Sequence, residues 1–135
     1  VTYGDLFSMQ PFGNSLVVMS LSGEQIKRLL ESQQRPGRRG PTPLMSPSEG
    51  LSYRWVVSAP EGQRAQDVRI NGQPLDPKAS YRVTVNSFMA DGGDGLVVLR
   101  EGTHRVGGPL DLAATLTYLA KGVAPTTRQR VVVQP

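Results

Sequence analysis

The side chains best suited to bind a ligand lie in one glycine-rich segment, at residues 83–95. The segment begins with the alternation of a strand and passes without a linker into a loop of small, acidic and glycine residues. Three glycines surround Asp94 there, so the backbone can adopt positive φ and approach a ligand closely. Phe88 stands at the start of the loop. An aromatic ring, a carboxylate and a glycine loop at the end of a strand can together bind a small polar ligand with a flat face.

A second interpretation of the same segment needs no ligand. Glycine and aspartate are ordinary turn residues, and a single phenylalanine is most often part of the core. On this segment alone, the turn-and-core interpretation is the stronger of the two. A second segment, at residues 3–23, changes that balance.

Residues 3–23 read as a short amphipathic helix, a Pro-Phe-Gly corner at 11–13, a strand and the start of a helix. With the Asn-Ser-Phe-x-Ala-x-Gly-Gly-Asp-Gly run at 86–95, this segment resembles the C-terminal domain of the 5'-nucleotidase family. That family includes bacterial periplasmic UDP-sugar hydrolases and animal ecto-5'-nucleotidases. The Leu-Ser-Gly-x-x-Ile helix entry at 21–26 and the Asn-Gly-x-Pro-Leu-Asp-Pro run at 71–77 also match. The motifs occur in the right order over nearly the whole chain.

The resemblance implies one α+β domain over residues 1–135, with a mixed β-sheet flanked by helices. It also implies that the chain lacks the N-terminal part of that domain and the metallophosphatase domain of the family. The expected function is nucleotide recognition within a secreted, metal-dependent 5'-nucleotidase or cyclic-nucleotide phosphodiesterase, in the periplasm or outside the cell. The expected partners are a nucleotide or nucleoside substrate and the N-terminal metallophosphatase domain of the same chain.

The family holds the nucleobase between two phenylalanine rings, which the resemblance assigns to Phe12 and Phe88, and it assigns the ribose to the Asp94 carboxylate. The same motifs supply four further substrate-binding residues: Gly13, Asn14, Gly92 and Gly93. Stacking contributes about 1–3 kcal/mol per base, and a carboxylate can accept both hydrogens of a vicinal diol. We expect the two rings to face each other across an open cleft about 7 Å wide, with Asp94 exposed at its rim.

Two departures from the family pattern affect this site. Leu96 stands where the family often has an aromatic residue, so the pocket wall is expected to be thinner or shaped for a different base. The family's domain also begins well before Val1, so the ligand site of this chain is expected to be incomplete.

Catalysis is not expected from this domain alone. Two-metal phosphoester cleavage needs a cluster of Asp, His and Asn ligands around a metal-bound water. The chain has a single histidine, His104, in what reads as a turn, and no cysteine. Asp91 and Asp94 could be proposed as an acid–base pair, but little else in the sequence supports that role. We therefore predict no catalytic residue, metal ligand or cofactor here, and we expect two divalent metal ions in the N-terminal domain.

The chain is mildly basic, with fifteen Lys and Arg against eleven Asp and Glu and a formal net charge of +4. The arginines of interest are Arg35, Arg38, Arg39, Arg128 and Arg130. An alternative function is therefore a non-enzymatic binding module that holds an anionic partner through its arginines, although a solvated loop and a charged edge strand explain them as well. No aromatics are interleaved as in a nucleic-acid groove, and no apolar run is long enough for a membrane span. We expect neither a nucleic acid nor a membrane as partner.

The hydrophobic pattern predicts the elements that position these residues. Strands are predicted at residues 15–21, 51–58, 67–70, 73–75, 80–86 and 127–133, and helices at 3–9, 23–33 and 111–121. By pattern, residues 96–99 fit a helix or a strand, and the family resemblance favours a short helical stretch. A Pro-, Gly-, Ser- and Arg-rich loop is predicted at 34–50. Because strands and helices intermix without regular βαβ repeats, the pattern favours the α+β class.

Local signals refine these predictions. Ser22 is the expected N-cap of the second helix, whose apolar stripe consists of Ile26, Leu29 and Leu30. The Asn71-Gly72 pair predicts a type I′ hairpin turn. Pro109 is expected at the start of the last helix. In the strand at 80–86, the core-facing side chains are expected to be Tyr81, Val83 and Val85.

Overall fold

The structure is a computed structural model that describes residues 14–35, 44, 45, 47, 48, 50–110 and 130–135. The predicted helices at 3–9 and 111–121 lie outside the described residues, as do Phe12, Gly13 and most of the arginine-rich loop. Of the strand predicted at 127–133, only the part from residue 130 onwards is described.

The described elements are strands and short helices. In chain order they are β1 (Ser15–Ser22), α1 (Gly23–Glu31), β2 (Leu51–Val56), β3 (Ala65–Ile70), β4 (Gln73–Pro74), β5 (Ser80–Asn86), α2 (Ser87–Ala90), a 3-10 turn (Gly93–Gly95), a 3-10 helix (Val97–Glu101), β6 (Thr103–Leu110) and β7 (Val131–Gln134).

The strands form two sheets. In the first, β1 lies between β5 and β6, and both pairs are antiparallel. In the second, the order is β4-β3-β2-β7, with β2 and β7 parallel and the other pairs antiparallel. The second sheet is mixed, and the predicted α+β class is confirmed. The strands divide between two sheets because β1 and β2 each have two partners of their own and do not pair with each other.

Helix α1 begins where the sequence predicted. The Ser22 side chain accepts a hydrogen bond from the Gln25 N–H (3.1 Å), and the Gln25 side chain accepts one from the Ser22 N–H (2.8 Å). This capping box satisfies two of the N–H groups that a helix start leaves without partners. The predicted apolar stripe is buried: Ile26, Leu29 and Leu30. The helix ends at Glu31 rather than at residue 33, and the Ser32 hydroxyl donates to the Leu29 carbonyl there (2.6 Å).

The predicted hairpin between β3 and β4 is also confirmed. Asn71 and Gly72 both have positive φ, at 51° and 80°, as a type I′ turn requires. In β5 the predicted alternation holds, because Tyr81, Val83 and Val85 are half-buried against the core while the residues between them are exposed.

Strand β6 was not predicted, and the prediction that Pro109 begins a helix is wrong, since Pro109 lies in this strand. The strand is at the edge of the described three-stranded sheet, a position where proline is tolerated because one side of the strand need not donate hydrogen bonds. Its register against β1 shifts twice, and His104 has a φ of 50° within one of these irregular stretches. His104 therefore belongs to an irregular strand rather than to a turn.

One hydrophobic core joins the two sheets, α1 and the 3-10 helix. Its largest fully buried side chains are Trp55, Met19, Leu21, Leu30 and Leu99. Helix α1 contacts β1 of the first sheet, β3 of the second and the 3-10 helix that follows the glycine loop. No helix in the described part of the chain has the length and apolar character needed to span a membrane.

Candidate functional site

The loop that carries the candidate site starts at a sharp change from strand to helix. Asn86 is the last residue of β5 and the N-cap of α2, and its side chain accepts a hydrogen bond from the Met89 N–H (2.8 Å). Because α2 begins directly after β5, Phe88 lies outside the sheet only two residues beyond the end of the strand. Its side chain is 52% exposed, so the interpretation of Phe88 as a core residue does not hold.

The Phe88 ring packs closely on the backbone of Gly93. A Cβ atom built on Gly93 would lie 2.5 to 2.6 Å from three carbons of the ring, far inside van der Waals contact. Glycine is therefore required at this position for the ring to lie where it does. One face of Phe88 rests on the loop while the residue as a whole remains half exposed, which is an arrangement able to stack on a flat ligand.

The loop backbone is left-handed at three positions. Gly92, Asp94 and Gly95 have φ of 91°, 56° and 78°. Glycine adopts this region without steric cost, whereas Asp94 is modestly strained there, although aspartate tolerates the region better than most residues. The sequence indicated that three glycines allow positive φ around Asp94; Gly92 and Gly95 adopt it and Gly93 does not, whereas Asp94 itself does.

The carboxylate of Asp94 points into solvent, and its side chain is 71% exposed. Within the described ranges it pairs with Arg35, whose Nη2 atom lies 3.6 Å from Oδ1. Among the described residues, no backbone N–H donates a hydrogen bond to this carboxylate. The interpretation that Asp94 braces its own turn therefore finds no support in the described contacts, and its oxygens can accept hydrogen bonds from a ligand.

Two arginines that the sequence did not point to form hydrogen bonds with backbone carbonyls next to the loop. The Arg100 Nε donates to the Asp91 carbonyl (2.8 Å). The Arg105 Nη2 donates to the carbonyls of Ala90 (3.0 Å) and Leu99 (2.7 Å). These bonds tie the start of the loop to the 3-10 helix and to β6, and they tie the 3-10 helix to β6. The sequence offers no motif that would have identified them.

The structure brings Asn14, from the first motif, next to the second. The Ser87 hydroxyl donates to Asn14 Oδ1 (3.3 Å) and accepts from the Ser15 N–H (3.3 Å). Ser87 directly precedes Phe88 in the chain. The structure thus places Asn14, Phe88, Asp94 and their glycines around one end of the first sheet, while Phe12 and Gly13 lie outside the described residues.

A groove of about 650 Å³ lies on the side of the loop next to α1. We call it the α1 groove; among the residues that line it are Lys27, Arg28, Arg35, Gly95, Val97 and Glu101. The Arg28 guanidinium donates two hydrogen bonds of 2.9 Å to the Glu101 carboxylate across it. These bonds hold the pKa of Glu101 below its usual range and raise the pKa of Arg28 further. Within the described residues, no group of three His, Asp or Glu side chains could hold a metal ion.

The fold and the site define a class of protein: a small α+β domain that exposes an aromatic ring and a carboxylate on one glycine loop. The chain belongs to the 5'-nucleotidase family, because the family model described as "5'-nucleotidase, C-terminal domain" matches residues 1–101. The resemblance seen in the sequence motifs is confirmed.

Known proteins match most of the chain. It is 34% identical over 122 residues to endonuclease YhcR of Bacillus subtilis (strain 168), covering 88% of this chain and 9% of that protein. It is 35% identical over 97 residues to protein UshA of Salmonella pullorum, covering 70% and 16%. The crystal structure of a 5'-nucleotidase precursor from Thermus thermophilus matches with a TM-score of 0.83 at 37% identity, covering 99% and 28%. The chain thus spans less than a third of each relative.

Proposed function

We propose that this chain is the nucleotide-recognition domain of a secreted, metal-dependent 5'-nucleotidase or cyclic-nucleotide phosphodiesterase. In this proposal residues 1–135 form one domain, which works with an N-terminal metallophosphatase domain of the same protein in the periplasm or outside the cell. The observation that carries the proposal is the pairing of an exposed ring and an exposed carboxylate on one loop. Phe88 rests on Gly93, and Asp94, on the same loop, has no hydrogen bond to its carboxylate among the described residues.

The Phe88 ring is proposed to stack on one face of the nucleobase, and Phe12 on the other. Each stacking contact contributes about 1–3 kcal/mol. The hydrogen bond between Ser87 and Asn14 supports this assignment. Asn14 follows Phe12 by two positions, and Ser87 precedes Phe88, so the bond connects the two motifs that supply the rings.

The Asp94 carboxylate is proposed to accept hydrogen bonds from the two ribose hydroxyls. Hydrogen bonds to an ionised acceptor are roughly twice as strong as neutral ones. This carboxylate is well exposed, on a backbone that is left-handed at Asp94. Held at base and ribose, a nucleotide would extend its phosphate away from this loop, which is catalysis by positioning.

The bond-breaking chemistry is assigned to the N-terminal domain, where two divalent ions are expected to activate water. The described residues of this chain bring no suitable ligand cluster together, so we derive no chemical step here. Several described arginines are also engaged within the fold: Arg28 with Glu101, Arg82 with Ser20 and the His104 carbonyl, Arg105 with loop carbonyls, and Arg130 with the Pro47 carbonyl. Arg38, Arg39 and Arg128 lie outside the described residues, and within the described part of the chain no observation favours the alternative of an arginine-based binding module.

The decisive experiment is Asp94→Ala in the full-length protein that carries this chain, measured on AMP and on p-nitrophenyl phosphate. Only AMP has a ribose diol, so kcat/KM for AMP should fall about tenfold to a hundredfold, as expected for a hydrogen bond to a charged group. The aryl phosphate should be hydrolysed almost as before. A matched control is Asp67→Ala, because Asp67 also has positive φ (51°) and pairs with an arginine, but lies on β3. Equal losses on both substrates would refute the ribose role.

A further inference from the structure

A residue far away in the sequence lies beside the proposed ribose-binding carboxylate. Arg35 lies beside the loop at two points. Its Nη2 is 3.6 Å from Oδ1 of Asp94, and its Nε is 3.4 Å from the position that a Cβ of Gly95 would occupy. The guanidinium therefore lies along the loop backbone and reaches the carboxylate from one side.

The geometry of this ion pair leaves the carboxylate open to a ligand. A separation of 3.6 Å exceeds the usual hydrogen-bond range, so the pair attracts by charge without occupying the lone pairs of Asp94. Both side chains are well exposed, at 50% for Arg35 and 71% for Asp94. Since no other described group holds the carboxylate, Arg35 is the described charge that biases its direction.

The backbone that leads to Arg35 is firmly anchored. Gln33 is buried, and its Nε2 donates to the Leu30 carbonyl (2.9 Å) and to the Tyr53 hydroxyl (3.2 Å). Its Oε1 accepts from the Met45 N–H (2.7 Å). These bonds fix the chain two residues before Arg35. The backbone of Arg35 is therefore held at a defined place, from which its side chain reaches the loop.

We propose that Arg35 is a positioning residue for Asp94: it turns the carboxylate toward the ribose while leaving its oxygens free for the two hydroxyls. This inference rests on the proposed function. In this proposal Arg35 acts through Asp94 and not directly on the phosphate. The side chain should therefore influence ribose recognition and leave the chemical step unchanged.

The test compares Arg35→Gln, Arg35→Lys and the control Arg69→Gln in the full-length protein. Arg69 is a matched control, because it pairs with Asp67 at a similar exposure (44% and 46%) away from the loop. Arg35→Gln should lower kcat/KM for AMP about threefold, the size expected for an exposed ion pair, and the change should lie in KM. Hydrolysis of p-nitrophenyl phosphate should be unchanged. The ratio of kcat/KM for AMP to kcat/KM for 2'-deoxy-AMP should fall in Arg35→Gln. In Arg35→Lys, which keeps the positive charge, this ratio should return most of the way to that of the unaltered protein.

Two further measurements separate positioning from a general structural effect. On an Asp94→Ala background, Arg35→Gln should cause no additional loss, since interacting residues show non-additive effects. Raising the salt concentration should reduce the AMP preference of the unaltered protein more than that of Arg35→Gln, because exposed charges are screened.

The outcomes distinguish this inference from the function on which it rests. If Arg35→Gln behaves as the unaltered protein while Asp94→Ala still lowers kcat/KM for AMP, the role of Arg35 is refuted and the proposed function stands. A gain in AMP hydrolysis would also refute it, because Arg35 would then compete with the ribose. Equal losses on AMP and the aryl phosphate, or an equal effect of Arg69→Gln, would show a structural role instead. If Asp94→Ala has no effect on AMP, both proposals fail.

Discussion

At the residue scale, the closest fit in the site is between Gly93 and the Phe88 ring. Added atoms at Gly93 have no room, because its Cβ position lies 2.5 Å from the ring. The ring is half exposed and can swing into solvent, so a larger residue should displace it at little cost in stability. This makes Gly93 a means of moving Phe88 without removing it.

Gly93→Ala should therefore weaken nucleotide recognition while the fold is maintained. We expect kcat/KM for AMP to fall about fivefold or more, the loss of part of one stacking contact, with little change in the melting temperature. Gly107→Ala is the matched control, because nothing lies within 4 Å of its Cβ position and its φ is not left-handed. An unchanged kcat/KM for AMP in Gly93→Ala would mean that the observed position of the Phe88 ring is not needed.

Single-residue predictions from the sequence succeeded where a motif was local. Ser22 as N-cap and Asn71-Gly72 as a type I′ turn depend only on neighbouring residues, and both are confirmed. The approach of Arg35 to Asp94 could not be predicted, since it depends on how α1 packs beside the loop. The same is true of Arg105, whose carbonyl partners come from two other elements.

At the scale of elements, an ion pair between Arg28 and Glu101 adds to the apolar packing of α1 on the 3-10 helix. The Glu101 pKa is lowered in the folded state, chiefly by the hydrogen bonds from Arg28. The ionised carboxylate therefore favours the folded state. Its contribution is present above the unfolded pKa of about 4.3 and is lost as the pH falls through the lower folded pKa.

Glu101→Gln should accordingly lower the melting temperature slightly at pH 7, because the pair is exposed and such pairs contribute little. The difference from the unaltered chain should shrink as the pH falls through the lowered folded pKa of Glu101, because protonation removes the charge that Glu101→Gln lacks at every pH. Melting curves from pH 3 to 7 would show this, with Glu61→Gln, an exposed glutamate on the α1 groove, as control. A difference that persists in acid would instead indicate lost packing.

The sequence predicted best those elements whose apolar residues repeat with the period of a helix or a strand. Helix α1 and strand β5 show clear apolar spacing, and both were found at nearly the predicted bounds. Strand β6 contains two glycines and a proline, and its irregular pairing with β1 removes the alternation on which strand prediction depends. Its strand character is imposed by pairing with β1 and not by its own composition.

At the scale of the whole molecule, the chain should bind without cleaving. The 135-residue chain alone should release no phosphate from AMP above background, even with added Mn²⁺, because its sequence has one histidine and no cysteine to build a two-metal centre. The full-length protein, assayed with and without chelator, provides the control. Metal-dependent turnover by a clean preparation of the chain at an enzymatic rate would overturn this expectation.

The parallel pairing of β2 with β7 has a consequence for how the chain acquires its structure during synthesis. Arg54 of β2 and Gln134 of β7 are 80 residues apart in sequence, yet their side chains form a hydrogen bond (3.2 Å). Contacts between such distant segments form slowly. Until the ribosome has released β7, one edge of β2, the strand that carries Tyr53 and Trp55, has no strand beside it. Uncovered strand edges of this kind invite association between chains, so the nascent chain is most exposed to aggregation in the interval before β7 docks.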